Sequence, residues 1–182
     1  MRLKYISGKV DTIRTKHNES DPFVLAKAMG VLLTYQAMGN SEKSCKGFFI
    51  TQSRRKSITI NSDLPEVIQR IICAHELGHA ALHAKTPGID AFHDFNLFDS
   101  VSVTEHEANV FAAELLLKDE DVLELLNDDM SFFDAAAALS VPPELLDFKF
   151  RVLKRKGYKI VDSPIQAGSK FLRDIEVNVH EE

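Results

Sequence analysis

Asp63-Leu64-Pro65-Glu66, followed without a break by Val67 to Leu82 and carrying His75-Glu76-Leu77-Gly78-His79 within it, is the stretch that decides how this chain is read. Asp63 and Glu66 stand at capping-box spacing with Pro65 in the first turn, so a helix is predicted from here. It runs to about Ala84, where Lys85-Thr86-Pro87-Gly88 stops it. Residues four apart on a helix stack on one face, which places His75 and His79 side by side. Ile68, Ile71, Ile72 and Leu82 share that face, so it points into the core. Two core imidazoles each need a hydrogen-bonding or ionic partner, and one shared metal ion serves both. Zinc accepts imidazole nitrogen at about 2.0–2.1 Å and keeps a position open for water in catalytic sites. Glu76 lies about 100° round the axis, within reach of such a water, which makes it the candidate general base.

Working upstream, Ser57-Ile58-Thr59-Ile60-Asn61 and Gly47-Phe48-Phe49-Ile50-Thr51 read as strands joined by the basic turn Ser53-Arg54-Arg55-Lys56, an antiparallel hairpin. Strand 57–61, placed at a sheet edge, would offer an extended peptide a partner for strand addition. Val31 to Tyr35 reads as a further strand. Before it, Asp21 caps a helix with Pro22 at its first position, and Gly30 closes it. Residues 1–20 are polar and mixed, without a strong pattern. Downstream, residues 85–103 form a long connection containing Phe92, Phe95 and Phe98, read chiefly as anchors of their own loop. Helices are predicted over 104–118, with Thr104 as cap, then 119–127, 132–139 and 142–156. The layout is α+β, with a small three-stranded, mostly antiparallel sheet and a helical majority.

A catalytic zinc needs a third protein ligand. Glu105, Glu107, His83, His93 and His106 are the candidates. Glu105 lines up with Ala108, Ala112 and Leu115, the inward stripe of its helix, where an ionised carboxylate is costly unless paired or bound to metal. Glu107 lines up with Glu114 and Lys118, read as the wet stripe. Asn109 shares the face of Glu105 and could hold a ligand from behind. The competing reading of Glu105 is a carboxylate stabilised by the dipole of its helix N-terminus. His83 continues the row from His79 and stands open as ligand, supporting partner or substrate contact; His83 and His93 are the nearest candidates to stabilise an oxyanion.

Bulk properties narrow the function classes. The chain has 182 residues, 45% hydrophobic and 27% charged, enough for a full core without covalent staples. A net charge of −5 argues against a general affinity for DNA or acidic lipid. Cys45 and Cys73 form neither a disulfide framework nor a metal knuckle, and no run approaches a membrane span. With no long apolar run near Met1, no secretory signal is read, and a cytoplasmic location is expected.

The run Ile72-Cys73-Ala74-His75-Glu76-Leu77-Gly78-His79-Ala80-Ala81-Leu82-His83, with Glu105-His106-Glu107-Ala108-Asn109-Val110-Phe111-Ala112-Ala113-Glu114-Leu115-Leu116-Leu117, closely resembles the ImmA/IrrE family of zinc metallopeptidases. Asp21-Pro22-Phe23, Lys46-Gly47-Phe48-Phe49 and Ile58-Thr59-Ile60-Asn61 match its style, and the resemblance spans roughly residues 20–155. The weak patterning after Gly157 gives a tail over 158–182 expected to be in part disordered, while the resemblance implies a zincin-like domain, read over 1–127, with a helical pair over 128–157 packed on it. It further implies one Zn2+ on His75, His79 and Glu105, with Glu76 as general base. Another divalent ion such as manganese fits as well. The implied substrate is a helix-turn-helix repressor of phage, mobile-element or stress genes, and cleavage relieves repression. The family often has Pro where Lys118 stands here. Two alternatives keep less of this: a metal-containing anti-repressor that acts by binding, and a DNA-binding regulator. The second draws on Ala135 to Pro142 and the basic residues Lys149, Arg151, Lys154, Arg155 and Lys156, but Glu144 and Asp147 sit where bases would be read, so nucleic acid is not the expected partner.

Overall fold

A computed structural model describes residues 3–41, 44–53, 55–84, 100–127 and 130–172. Their order is α1 (Leu3–His17), α2 (Pro22–Ala28), β1 (Val31–Gln36), β2 (Gly47–Gln52), β3 (Arg55–Asn61), α3 (Glu66–Leu82), α4 (Ser100–Leu116), α5 (Asp119–Asn127), α6 (Phe132–Ala138) and α7 (Pro143–Lys156). The α+β class and helical majority stand.

Asp21 caps α2 as expected, its Oδ1 accepting from the backbone N–H of Phe23 at 2.9 Å and of Val24 at 3.1 Å. The β2–β3 hairpin also forms, with Gln52 paired to Arg55 across a two-residue turn. The sheet is mixed, however, not mostly antiparallel. Its order is β1-β3-β2, with β1 parallel to β3 and β2 antiparallel to it. Strand 57–61 is therefore central, and its own backbone is occupied on both sides by β1 and β2. The cause lies in the connection between β1 and β2, which must step across the end of β3. Asn61, fully buried, holds it there. Its Nδ2 donates to the carbonyls of Gly39 (2.7 Å) and Cys45 (2.8 Å), while its Oδ1 accepts from Met38 N (3.1 Å) and Asp63 N (3.0 Å). All four hydrogen-bonding positions of the amide are used. Asp63 is drawn into the same knot, its Oδ2 accepting from Gly39 N at 2.7 Å, so it does not cap α3; Pro65 is the cap residue there.

One hydrophobic core runs from α1 to the C-terminal Phe171 and Leu172. Helix α3 lies between the sheet and α4, with every residue from Ile71 to Ala80 buried. Helix α1 covers α4 from the other side, seating Leu3, Ile6, Val10 and Ile13. Arg14 caps the end of α4 by donating from Nη2 to the carbonyls of Glu114 (2.9 Å) and Leu115 (2.7 Å). Among the described residues, no helix is long and apolar enough to cross a membrane.

Of the stripe read as wet, Glu107 is part-buried, Glu114 is buried and Lys118 is exposed. Glu114 is covered by α1 and α7, and its Oε1 accepts from Lys149 Nζ at 2.5 Å. Lys149 also reaches Asp119, and Lys156 faces Glu114 at 2.9 Å and Asp119 at 2.8 Å, a four-charge square joining α4, α5 and α7. Burial pushes the Glu114 carboxyl up, but the Lys149 charge together with hydrogen bonds from Lys149, Lys156 and Ser7 outweighs it and holds the group below its ordinary value. Removing one partner of a buried pair typically costs 3–5 kcal/mol. Lys149→Ala is expected to lower unfolding free energy by about 3 kcal/mol, since Lys156 still faces both acids. The sign with pH follows from the depressed folded value: this stabilisation is present above 4.5, the ordinary glutamate value, and is lost as pH falls through the lower folded value. Denaturant unfolding of wild type and Glu114→Gln between pH 7 and pH 3 checks it, with the variant losing less on acidification.

Candidate metal centre

The site forms where α3 and α4 cross. Gly78 makes the crossing close: a Cβ there would lie 3.1 Å from Ala108 Cα, 3.2 Å from Ala108 O and 3.2 Å from Phe111 Cβ. A side chain at this position would push α4 away. Because α4 begins at Ser100, earlier than the expected Thr104, Glu105 sits in its second turn and not at its N-terminus. The helix-dipole account of Glu105 therefore weakens. One turn before Ala108, its carboxylate instead meets the two histidines of α3.

The three side chains converge. Nε2 of His75 and Nε2 of His79 are 3.0 Å apart. Glu105 Oε2 is 3.2 Å from His75 Nε2, and Oε1 is 3.2 Å from His79 Nε2. The donor atoms of all three lie within 4.8 Å of one another. Two imidazoles on one tetrahedral zinc hold their nitrogens about 3.3 Å apart, close to the spacing seen. The donor set, two imidazole nitrogens and a carboxylate oxygen, is of the kind zinc takes in catalytic sites, so these residues fit a divalent ion. Burial alone would raise the Glu105 carboxyl, but hydrogen bonds from His75 and His79 and their charge hold it well below the usual carboxylate range. For His75, burial opposes the charged ring, but the hydrogen bond and charge of Glu105, with the charge of Glu76 and the nearby Asn109, together more than reverse this, raising its value. Glu76 is buried beside His75 on α3.

Behind His75 stands Asn109, fully buried. It favours the protonated ring, although neither His75 Nδ1 nor Asn109 Oδ1 reaches a well-aligned hydrogen bond. Asn109 Nδ2 donates to the carbonyl of Ser169 at 2.7 Å, tying the back of the site to the C-terminal segment. That segment is clasped to α7. Ala167 N donates to Asp147 Oδ2 at 3.0 Å, Arg151 donates to Ala167 O at 2.9 Å and also pairs with Asp147, and Phe171 packs on Phe148. Sequence reading did not connect residues 163–172 with the site; the buried pair Phe171-Leu172 was the available signal. The stretch 173–182 lies outside the described residues.

The other candidates go elsewhere. Glu107 pairs with His83 at 3.0 Å. His106 packs edge-on against Phe148. His83 is buried behind His79, which removes it from the role of oxyanion stabiliser. His93 and the aromatic residues Phe92, Phe95 and Phe98 lie outside the described residues. Lys118 exposes its side chain at the α4–α5 junction, where its carbonyl accepts from Val122 N at 3.3 Å, so the missing proline leaves the donors untouched. Cys73 is buried, which pushes its thiol far up and leaves it no nucleophile. Helix α7 is not a free recognition helix: Leu145 to Phe150, Val152 and Leu153 are buried, and Lys149, Arg151, Lys154 and Lys156 are all committed to carboxylates.

His75, Glu76 and His79 thus lie on one helix and Glu105 on the next, and the donor atoms of His75, His79 and Glu105 are close enough to hold one metal ion. Comparison with known proteins agrees: the chain belongs to the peptidase M78 family, described as IrrE N-terminal-like domain, whose profile matches residues 26–151. It is 36% identical over 146 residues to "Uncharacterized immunity region protein 2" of Bacillus phage phi105, covering 79% of this chain and 88% of that protein. It is 26% identical over 177 residues to "Metallopeptidase ImmA" of Bacillus subtilis strain 168, covering 90% and 95%.

Proposed function

We propose that this chain is a zinc-dependent endopeptidase that cleaves a helix-turn-helix repressor, with His75, His79 and Glu105 as the metal ligands and Glu76 as general base. The observation that carries the reading is the convergence of three donors from α3 and α4 within 4.8 Å, in a member of a metallopeptidase family. A bound zinc ion supplies Lewis acidity, polarising the scissile carbonyl and bringing the pKa of a water near 7. The chain's own part is proton handling and positioning. Glu76 accepts the proton of the attacking water through its carboxylate and delivers it to the departing amine nitrogen. Glu105 brings negative charge to the two imidazoles and so offsets part of the charge of the ion. Asn109 backs His75, and Gly78 sets the distance between the helices. The repressor as substrate is supported by the resemblance and by a relative named for a phage immunity region.

The test is incubation of the zinc-loaded protein with the repressor encoded beside its own gene. Two new fragments, seen by mass spectrometry and abolished by a chelator, are expected. A repressor bound and released intact would instead favour an anti-repressor acting by contact.

A further inference from the structure

The histidine row does not stop at the metal donors. His79 presents Nε2 to His75 and Glu105 on one side of its ring. On the other side its Nδ1 lies 3.2 Å from Nδ1 of His83. The far nitrogen of His83, Nε2, lies 3.0 Å from Glu107 Oε2. These contacts are well shielded: His79 and His83 side chains are 1% and 4% exposed, and that of Glu107 is 14% exposed.

With both rings neutral and the Glu107 carboxylate ionised, one arrangement of protons serves both hydrogen bonds. His83 donates its Nε2–H to Glu107. Its Nδ1, carrying a lone pair, accepts from the Nδ1–H of His79. With an ion bound, the Nε2 of His79 is then left with a lone pair to offer it, in place of the hydrogen bond it gives Glu105 in the metal-free site. Reversing any one of these protons sets two lone pairs, or two N–H groups, against each other.

We propose that His83 and Glu107 are positioning residues, forming a carboxylate–imidazole–imidazole chain that locks His79 in the tautomer able to bind metal. The proposal rests on the metal-centre reading above. It assigns a role to the second glutamate of Glu105-His106-Glu107 and to the histidine four residues beyond His79. It also states that His83 is not itself a ligand, because its near nitrogen faces the wrong side of the His79 ring. Partners of metal-bound histidines typically tune affinity by 10–100-fold.

Zn2+ dissociation constants, measured at fixed pH by competition with a chromophoric chelator, test this without reference to peptidase activity. Glu107→Leu and His83→Ala are each expected to weaken binding by about 10–100-fold. Glu107→Gln, which keeps an acceptor oxygen for His83, is expected to recover most of that loss. The double variant Glu107→Leu with His83→Ala is expected to bind no more weakly than His83→Ala alone, because the chain acts as a unit. Co2+-loaded wild type and His83→Ala should share one absorption spectrum, since the inner donors are the same. Thermal melts of the metal-free proteins identify any variant that fails to fold; if His83→Ala does, the contrast between Glu107→Leu and Glu107→Gln decides. Affinities within twofold of wild type in folded Glu107→Leu or His83→Ala, or a cobalt spectrum changed by loss of His83, would overturn the chain. Failure of the wild type itself to bind any ion would overturn the metal centre, a result distinct from both.

Discussion

Replacing Glu76 by Gln is expected to slow cleavage of a susceptible repressor by about 10²–10⁴-fold, the range a positioned general base contributes. The substitution keeps the size and most of the hydrogen-bonding capacity of the side chain but removes the basic oxygen. Because Glu76 is buried on α3 beside His75, loss of its charge should not unfold the helix. Zinc affinity should change little, because Glu76 lies outside the proposed donor set of His75, His79 and Glu105. The expected pattern is thus a fall in kcat with metal content and repressor binding retained. Cleavage at the wild-type rate would remove Glu76 from the mechanism. Loss of metal together with activity would show that it acts as a ligand or a brace.

The second large effect is expected at Glu105. Glu105→Ala removes the only donor supplied by α4 among the three and leaves two imidazoles facing each other at 3.0 Å. Changes one shell further out cost about 10–100-fold in metal affinity, so loss of a ligand should exceed about 100-fold. Glu105→Gln, which keeps an oxygen but not the charge, should fall between. The effect is readable as stability: zinc at a hundred times its dissociation constant should stabilise wild type by about 2.7 kcal/mol. The same zinc concentration should leave the melting temperature of Glu105→Ala nearly unchanged.

Several local signals in the sequence were read correctly, though the capping-box spacing of Asp63 and Glu66 misled, and most signals carried by distant partners were not read. The cap at Asp21, the β2–β3 hairpin and the pairing of His75 with His79 each depend on residues a few positions apart. Glu105 was also legible, since an acid on an apolar stripe needs a buried partner. Helix α1 was missed although Leu3, Ile6, Val10 and Ile13 carry helical spacing, because Gly8 and the absence of a capping residue hid its limits. Once α1 is absent, Glu114 reads as wet; its real partner, Lys149, is thirty-five residues away. The parallel pairing of β1 with β3 depends on the Asn61 knot, which strand patterns alone do not show. Glu107 was read as solvent-facing and His83 was left open for a similar reason, since the partner of each lies on another helix.

The measurement closest to the central claim is metal stoichiometry by native mass spectrometry after loading with equimolar Zn2+ and buffer exchange. One ion per chain is expected in wild type and in Glu76→Gln, and none in a variant lacking His75, His79 and Glu105 together. An ion retained by that triple variant, or no ion in the wild type, would contradict the account.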